Sequence, residues 1–138
     1  MSAANRGENF TVIFVNNGIY GMTGGQMAPT TMIGQNTPSS KGGRILEDTG
    51  ENFDVVKTMG GLDISYLART SVTNPANVAK TKKYVKKALE KQRDGKGFSL
   101  VEVLVPCPTN WGMTPPKSME YINDVVAKQY ELGEFIDR

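Results

Sequence analysis

Phe10-Thr11-Val12-Ile13-Phe14-Val15-Asn16-Asn17-Gly18-Ile19-Tyr20-Gly21-Met22-Thr23-Gly24-Gly25-Gln26 is the stretch that decides the fold. Its first six residues form a continuous β-branched and aromatic run. That pattern predicts a strand buried on both faces, as in a parallel sheet. Asn16-Asn17-Gly18 stops the run with turn-forming residues. A central parallel strand needs neighbours and a crossover helix beside it. Ser2 to Arg6 reads as the tail of such a helix, so the sequence is expected to open in the middle of a fold.

Downstream, residues 18–49 are rich in glycine, threonine and proline and hold no acidic residue before Glu47. A long loop of this kind directly after a buried strand is where α/β folds bind ligands. Phe53 to Met59 predicts a short helix, stopped by Gly60-Gly61. Ile64 to Val72 predicts a second strand. Asn74-Pro75 is a helix start, with Asn as cap and Pro in the first turn. The helix that follows sets Val78, Val85, Ala88 and Leu89 against a lysine-rich side, and Asp94-Gly95 ends it. Phe98 to Val105 predicts a third strand, closed by Pro106. Ser118 is expected to cap a last helix to about Tyr130, with Leu132 to Arg138 as a tail. The alternation predicts an α/β fold with a mostly parallel sheet and flanking helices. Ligand groups are expected where strands end, at Asn16-Asn17 and at Pro106-Cys107.

Inventory excludes several chemistries. The 138 residues fit one domain and carry 16 Lys+Arg against 14 Asp+Glu, a balance that gives no nucleic-acid footprint. The lysines between Lys80 and Lys87 read as the solvated side of a helix. The chain has no histidine, which removes a Ser-His-Asp triad and the commonest zinc ligand. Its one cysteine, Cys107, allows no internal disulfide, so a cytoplasmic setting is expected. No apolar run is long enough to span a bilayer, and Met1 to Asn9 lacks the pattern of a signal peptide.

Two readings of the glycine-rich segment stand side by side. Asn17 offers an amide oxygen at a strand end, Thr23 adds a hydroxyl, and Gly24 and Gly25 leave backbone N–H groups open to a diphosphate. Equally, Asn-Gly is a strong turn signal, and glycines serve positive φ. Neither a Walker lysine motif nor GxGxxG is present.

The stretch VIFVNNGIYGMTGGQMAPTT closely resembles β subunits of 2-oxoacid:ferredoxin oxidoreductases, especially the 2-oxoglutarate and 2-ketoisovalerate branches. GFSLVEVLVPCPTNWGMTP resembles a later part of the same subunits, and the likeness extends over the chain. It implies that residues 1–138 are the C-terminal portion of a thiamine diphosphate-binding domain. It also implies that Asn17 gives Mg2+ a side-chain oxygen and Ile19 a backbone carbonyl. Thr23, Gly24 and Gly25 would line the diphosphate side, and Gly21 and Met22 would approach the thiazolium. Gln26 is a weaker correspondence. Cys107 resembles the last ligand of a [4Fe–4S] cluster, a role open to it only in an intact subunit carrying the other three cysteines.

The same likeness implies oxidative decarboxylation of a 2-oxoacid to acyl-CoA and CO2, with ferredoxin reduced. Partners would be an α subunit and γ or δ subunits, ferredoxin, CoA and the 2-oxoacid, with no nucleic acid and no membrane. The pattern is departed from in one respect. A Gly-Asp-Gly whose aspartate is the charged Mg2+ ligand is expected upstream of the first strand, and this sequence lacks it. The proton-handling glutamate is expected on another chain or domain, so no catalytic residue is assigned here. The chain alone is expected to be inactive, and the alternative is an inactive fragment or interaction remnant. Trp111 and Met113 read either as neighbours of the cluster or as ordinary packing, and Lys41 and Arg44 either as contacts to a carboxylate or a partner subunit or as a solvated loop.

Overall fold

The computed structural model describes residues 1–138. A short helix α1 (Ser2–Asn5) leads to β1 (Thr11–Asn16), and the small strands β2 (Ile19–Tyr20) and β3 (Gln26–Met27) follow. After α2 (Leu46–Thr49) and α3 (Val55–Gly60) come β4 (Tyr66–Ser71), α4 (Pro75–Arg93) and β5 (Ser99–Leu104). Then α5 (Pro108–Trp111) and α6 (Pro115–Tyr121) pass through one π turn (Ile122–Val126) into α7 (Ala127–Gln129), and β6 (Gly133–Asp137) ends the fold.

The main sheet has the order β1-β5-β4-β6. β5 pairs in parallel with both β1 and β4, and β6 runs antiparallel along β4. The expected α/β architecture with a mostly parallel sheet is therefore present. β2 and β3 form a separate antiparallel hairpin within the long loop.

Side-chain alternation explains the two cores. On one face, Leu67 and Leu100 join Val55, Met59, Ile64, Phe98 and Ala4. On the other, Tyr66, Ala68, Val101 and Val103 pack against Ala88 of α4. Asn74 caps α4 as expected, its side chain accepting the Asn77 N–H at 2.9 Å. Asp54 likewise caps α3, accepting from Val56 N–H at 2.9 Å and Lys57 N–H at 3.2 Å.

Three expectations are corrected. β1 is not buried on both faces: it lies at the sheet edge, with Ile13 47% and Val15 60% exposed. The reason is geometric, because α4 packs mainly over β4 and β5 and leaves the outer part of β1 bare. The last helix starts at Pro115, with Thr114 at the cap position. Ser118 lies inside it, buried, and its hydroxyl donates to the Pro115 carbonyl at 2.7 Å. The tail is the strand β6, tied to α4 by Lys87 with Glu134 (2.8 Å) and by Lys91 with Asp137 (2.8 Å).

Candidate functional site

Parallel strands β1 and β5 end side by side, so the turns that follow them are brought together. The Val105 N–H donates to the Asn16 carbonyl at 3.0 Å just past the paired region. From there one turn runs into Asn17-Gly18 and the other into Pro106-Cys107. Gly18 takes a left-handed conformation (φ +68°), which only glycine adopts without strain. The turn is braced by Asn16, whose Oδ1 accepts from the Gly18 N–H at 2.9 Å.

Asn17 is half-buried, and its Oδ1 accepts the Ile19 N–H at 3.1 Å. An amide oxygen has two lone pairs, so one remains for a cation. Beside it opens a cleft of about 400 Å3 whose walls include Phe14, Asn17, Ile19, Tyr20, Thr30 and Phe53. That volume is in the range of small-molecule sites.

The glycine segment forms the turn between β2 and β3. The Gly25 N–H donates to the Tyr20 carbonyl at 2.9 Å and the Gly24 N–H to the Gly21 carbonyl at 3.4 Å. These two amides close the turn and are not the open donors expected from the sequence. Gly25 is also confined sterically: a Cβ there would come within 2.7 Å of Asn110 Oδ1 and 2.9 Å of Pro38 Cγ. Thr23 donates its hydroxyl to Gln26 Oε1 at 2.6 Å, and Gln26 Nε2 returns a bond to the Thr23 carbonyl at 2.8 Å. Met22 stands fully exposed at the tip.

Cys107 faces this hairpin. Its Sγ accepts from Asn110 Nδ2 at 3.4 Å and lies 3.8 Å from where a Cβ on Gly21 would be. Asn110 Nδ2 also reaches the Gly21 carbonyl at 3.5 Å. A Cβ on Gly21 would also lie 3.4 Å from Asn17 Nδ2, so Asn17, Gly21 and Cys107 converge on one corner. Trp111 packs edge-to-face on Tyr121 (5.5 Å), and its buried indole N–H has no partner. Lys41 is exposed, whereas Arg44 is buried, contrary to a solvated loop. Its guanidinium donates to the carbonyls of Pro29 and Thr31, both at 2.8 Å, and of Glu51 at 3.0 Å. Arg44 staples residues 28–51 and is not available to a substrate carboxylate.

The oxygen donors fit one side of a magnesium–diphosphate site. Asn17 Oδ1 is a hard neutral oxygen that accepts one bond, and no group of three or more acidic, histidine or cysteine side chains lies together to hold a metal. A Mg2+ ion held here would need its charge balanced by ligands from elsewhere.

The C-terminal TPP binding domain of thiamine pyrophosphate enzymes matches residues 1–103. The chain belongs to that family. The TPP binding domain matched in this way ends just before Cys107. Over 139 residues the whole chain is 42% identical to the ketoisovalerate oxidoreductase subunit VorA of Methanothermobacter marburgensis, of which it spans 29%. It is 33% identical over 122 residues to the 2-oxoglutarate synthase subunit KorB of Archaeoglobus fulgidus, covering 88% of this chain and 42% of that one. Among solved structures, the 2-oxoglutarate:ferredoxin oxidoreductase from Magnetococcus marinus, with 2-oxoglutarate, coenzyme A and succinyl-CoA bound, superposes with a TM-score of 0.66. That match has 25% identity and covers 90% of this chain and 38% of the other. No helix of the TPP binding domain is long and apolar enough to cross a membrane.

The sequence reading passed over Arg69 and Glu102, both fully buried beneath the corner. The available signal was one charge of opposite sign in each of two strands that are otherwise free of charge, YLARTS and SLVEVL.

Proposed function

We propose that the chain is the TPP-binding portion of a 2-oxoacid:ferredoxin oxidoreductase β subunit, acting on a 2-oxoacid with CoA and ferredoxin in an assembly with α and further subunits. The observation that carries this reading is the meeting of Asn17, Gly21 and Cys107 at the ends of two adjacent parallel strands. The oxidoreductase names of the relatives support the reaction class.

In this reading Asn17 Oδ1 and the Ile19 carbonyl would hold Mg2+ through neutral oxygens, and the ion would anchor the diphosphate. When bound, thiamine diphosphate supplies the electron sink for decarboxylation. The residues of the chain itself bind and orient. Gly18 sets the angle at which Asn17 leaves the strand. The turn with Gly24 and Gly25 brings Gly21 close to Cys107, and Thr23 and Met22 lie on its outer side. Cys107 would complete a [4Fe–4S] cluster whose other cysteines lie outside these residues.

The test is Asn17→Ala in the full-length, assembled enzyme. Thiamine diphosphate retained after desalting should fall at least tenfold at limiting Mg2+ and recover partly at high Mg2+. Unchanged retention removes Asn17 from the metal shell and the reading with it.

A further inference from the structure

The corner stands on a buried charged network that crosses the sheet. Glu102, 1% exposed, occupies the middle of β5 on the face that also carries Leu100 and Leu104. Its Oε2 accepts from Arg69 Nε at 2.6 Å and its Oε1 from Asn16 Nδ2 at 2.7 Å. Arg69, 2% exposed, extends Nη2 to Asp54 Oδ1 at 2.6 Å and lies 4.8 Å over the Tyr130 ring. At the other end, Asn16 Oδ1 accepts from the Gly18 N–H and from Thr30 Oγ1, both at 2.9 Å. Tyr130 closes the far side by donating its hydroxyl to the Thr30 carbonyl at 3.1 Å. A continuous path thus runs from the cap of α3 to the turn bearing Asn17.

Apolar residues at both positions 69 and 102 would serve the core at least as well, because buried ion pairs gain little stability over apolar residues of similar volume. What a carboxylate supplies is direction. An ionised carboxylate only accepts, so only the NH2 end of the Asn16 amide can face it. The Asn16 oxygen is then forced toward Gly18 and Thr30, where it holds the turn. A neutral amide at position 102 must turn its oxygen to Arg69, which only donates, and so presents its NH2 to Asn16 and favours the inverted Asn16 amide.

We propose that Glu102, held by Arg69, is a positioning residue for the cation corner: it fixes the orientation of the Asn16 amide and thereby the presentation of the Asn17 and Ile19 oxygens. The proposal rests on the cofactor reading given above and adds a residue that touches neither metal nor diphosphate.

The experiment uses the assembled full-length enzyme and follows thiamine diphosphate retention against Mg2+ concentration. Glu102→Gln should raise the Mg2+ midpoint at least tenfold, and Asn16→Ala, which removes the same clamp with less loss of core, should do likewise. With Mn2+ in place of Mg2+, the electron paramagnetic resonance spectrum of Glu102→Gln should show altered zero-field splitting. Val101→Ala, a core change on the opposite face of β5, should lower thermal stability but keep the wild-type midpoint and spectrum. A wild-type midpoint in Asn16→Ala, or an equal shift in Val101→Ala, overturns the positioning role. If Asn17→Ala retains cofactor normally, the metal reading itself falls. If Asn17→Ala fails to bind while Asn16→Ala and Glu102→Gln bind normally, only the positioning role falls.

Discussion

Two ionic clusters sit on opposite faces of this sheet and differ in almost everything except their charges. Arg69 and Glu102 are sealed beneath the corner and Asp54 is part-buried at the rim of the cluster, with the guanidinium gripped at 2.6 Å from both sides. Lys87, Lys91, Glu134 and Asp137 lie on the surface, where they tie β6 to α4 with contacts of 2.5–2.8 Å. Solvent can replace any partner in the second cluster but reaches neither Arg69 nor Glu102 in the first. The buried cluster therefore specifies one geometry, and the surface cluster closes an edge strand with little commitment. Charged residues on an edge also discourage pairing with other chains, a protection that β6 has and β1, with Ile13 and Val15 bare, does not.

The largest effect should come from Arg69→Ala. It strands two carboxylates, and breaking a buried pair costs about 3–5 kcal/mol, measurable by urea denaturation. The double variant Arg69→Met/Glu102→Leu should recover at least half of that loss, since the fully buried carboxylate is gone and Asp54, part-exposed, keeps its α3 amides. A loss in Arg69→Ala no larger than that of a surface pair would erase the contrast between the clusters.

Acid should have an intermediate effect. Burial pushes the Asp54 carboxyl up, but the Arg69 hydrogen bond, the Lys57 amide, the Arg69 charge and the Val56 amide together hold it below its ordinary value. A carboxyl with a depressed folded pKa stabilises the fold above its unfolded value and loses that contribution as pH falls through the folded one. Stability should thus decline below about pH 4, near the ordinary carboxylate value. Asp54→Asn, which keeps the cap on α3, should start less stable at pH 7 and show a shallower acid decline in thermal melts. Parallel curves for the two proteins would mean that the Asp54–Arg69 pair carries no proton linkage.

Lys87→Ala should have the smallest effect. The hydrogen bonds to Asp137 and Glu134 raise the Lys87 pKa, yet the ammonium stays in water and is screened. Melts at 0.05 and 0.5 M salt, values chosen to change screening about threefold in length, should show the deficit of the variant shrinking toward zero. A deficit that persists in salt would give the surface cluster a buried component.

Much of the fold was legible because it is written locally. The β-branched runs gave β1, β4 and β5, and Asn74-Pro75 gave the start of α4 to the residue. The corner was legible because strand ends at Asn16-Asn17 and Pro106-Cys107 become neighbours once those strands pair. What stayed hidden depends on distant partners. Nothing local makes Gly133 to Asp137 a strand, since its pairing needs β4 and its charges need the lysines of α4. Continuous hydrophobicity in β1 signals two buried faces only where something covers both. Arg44 gives no local sign that it will collect carbonyls from Pro29 and Glu51. Glu102 looks like an ordinary surface charge until Arg69 and Asn16 stand beside it.

The pairing of β1 with β5 has a consequence for biosynthesis. Asn16 and Glu102 are 86 positions apart, so β1 must wait until β5 has left the ribosome before the two can pair. Its apolar side chains stay uncovered during that interval, the condition under which nascent segments associate wrongly or recruit chaperones. Slow synthesis between β1 and residue 104 should therefore prolong exposure of that strand, because β5 is the strand it pairs with.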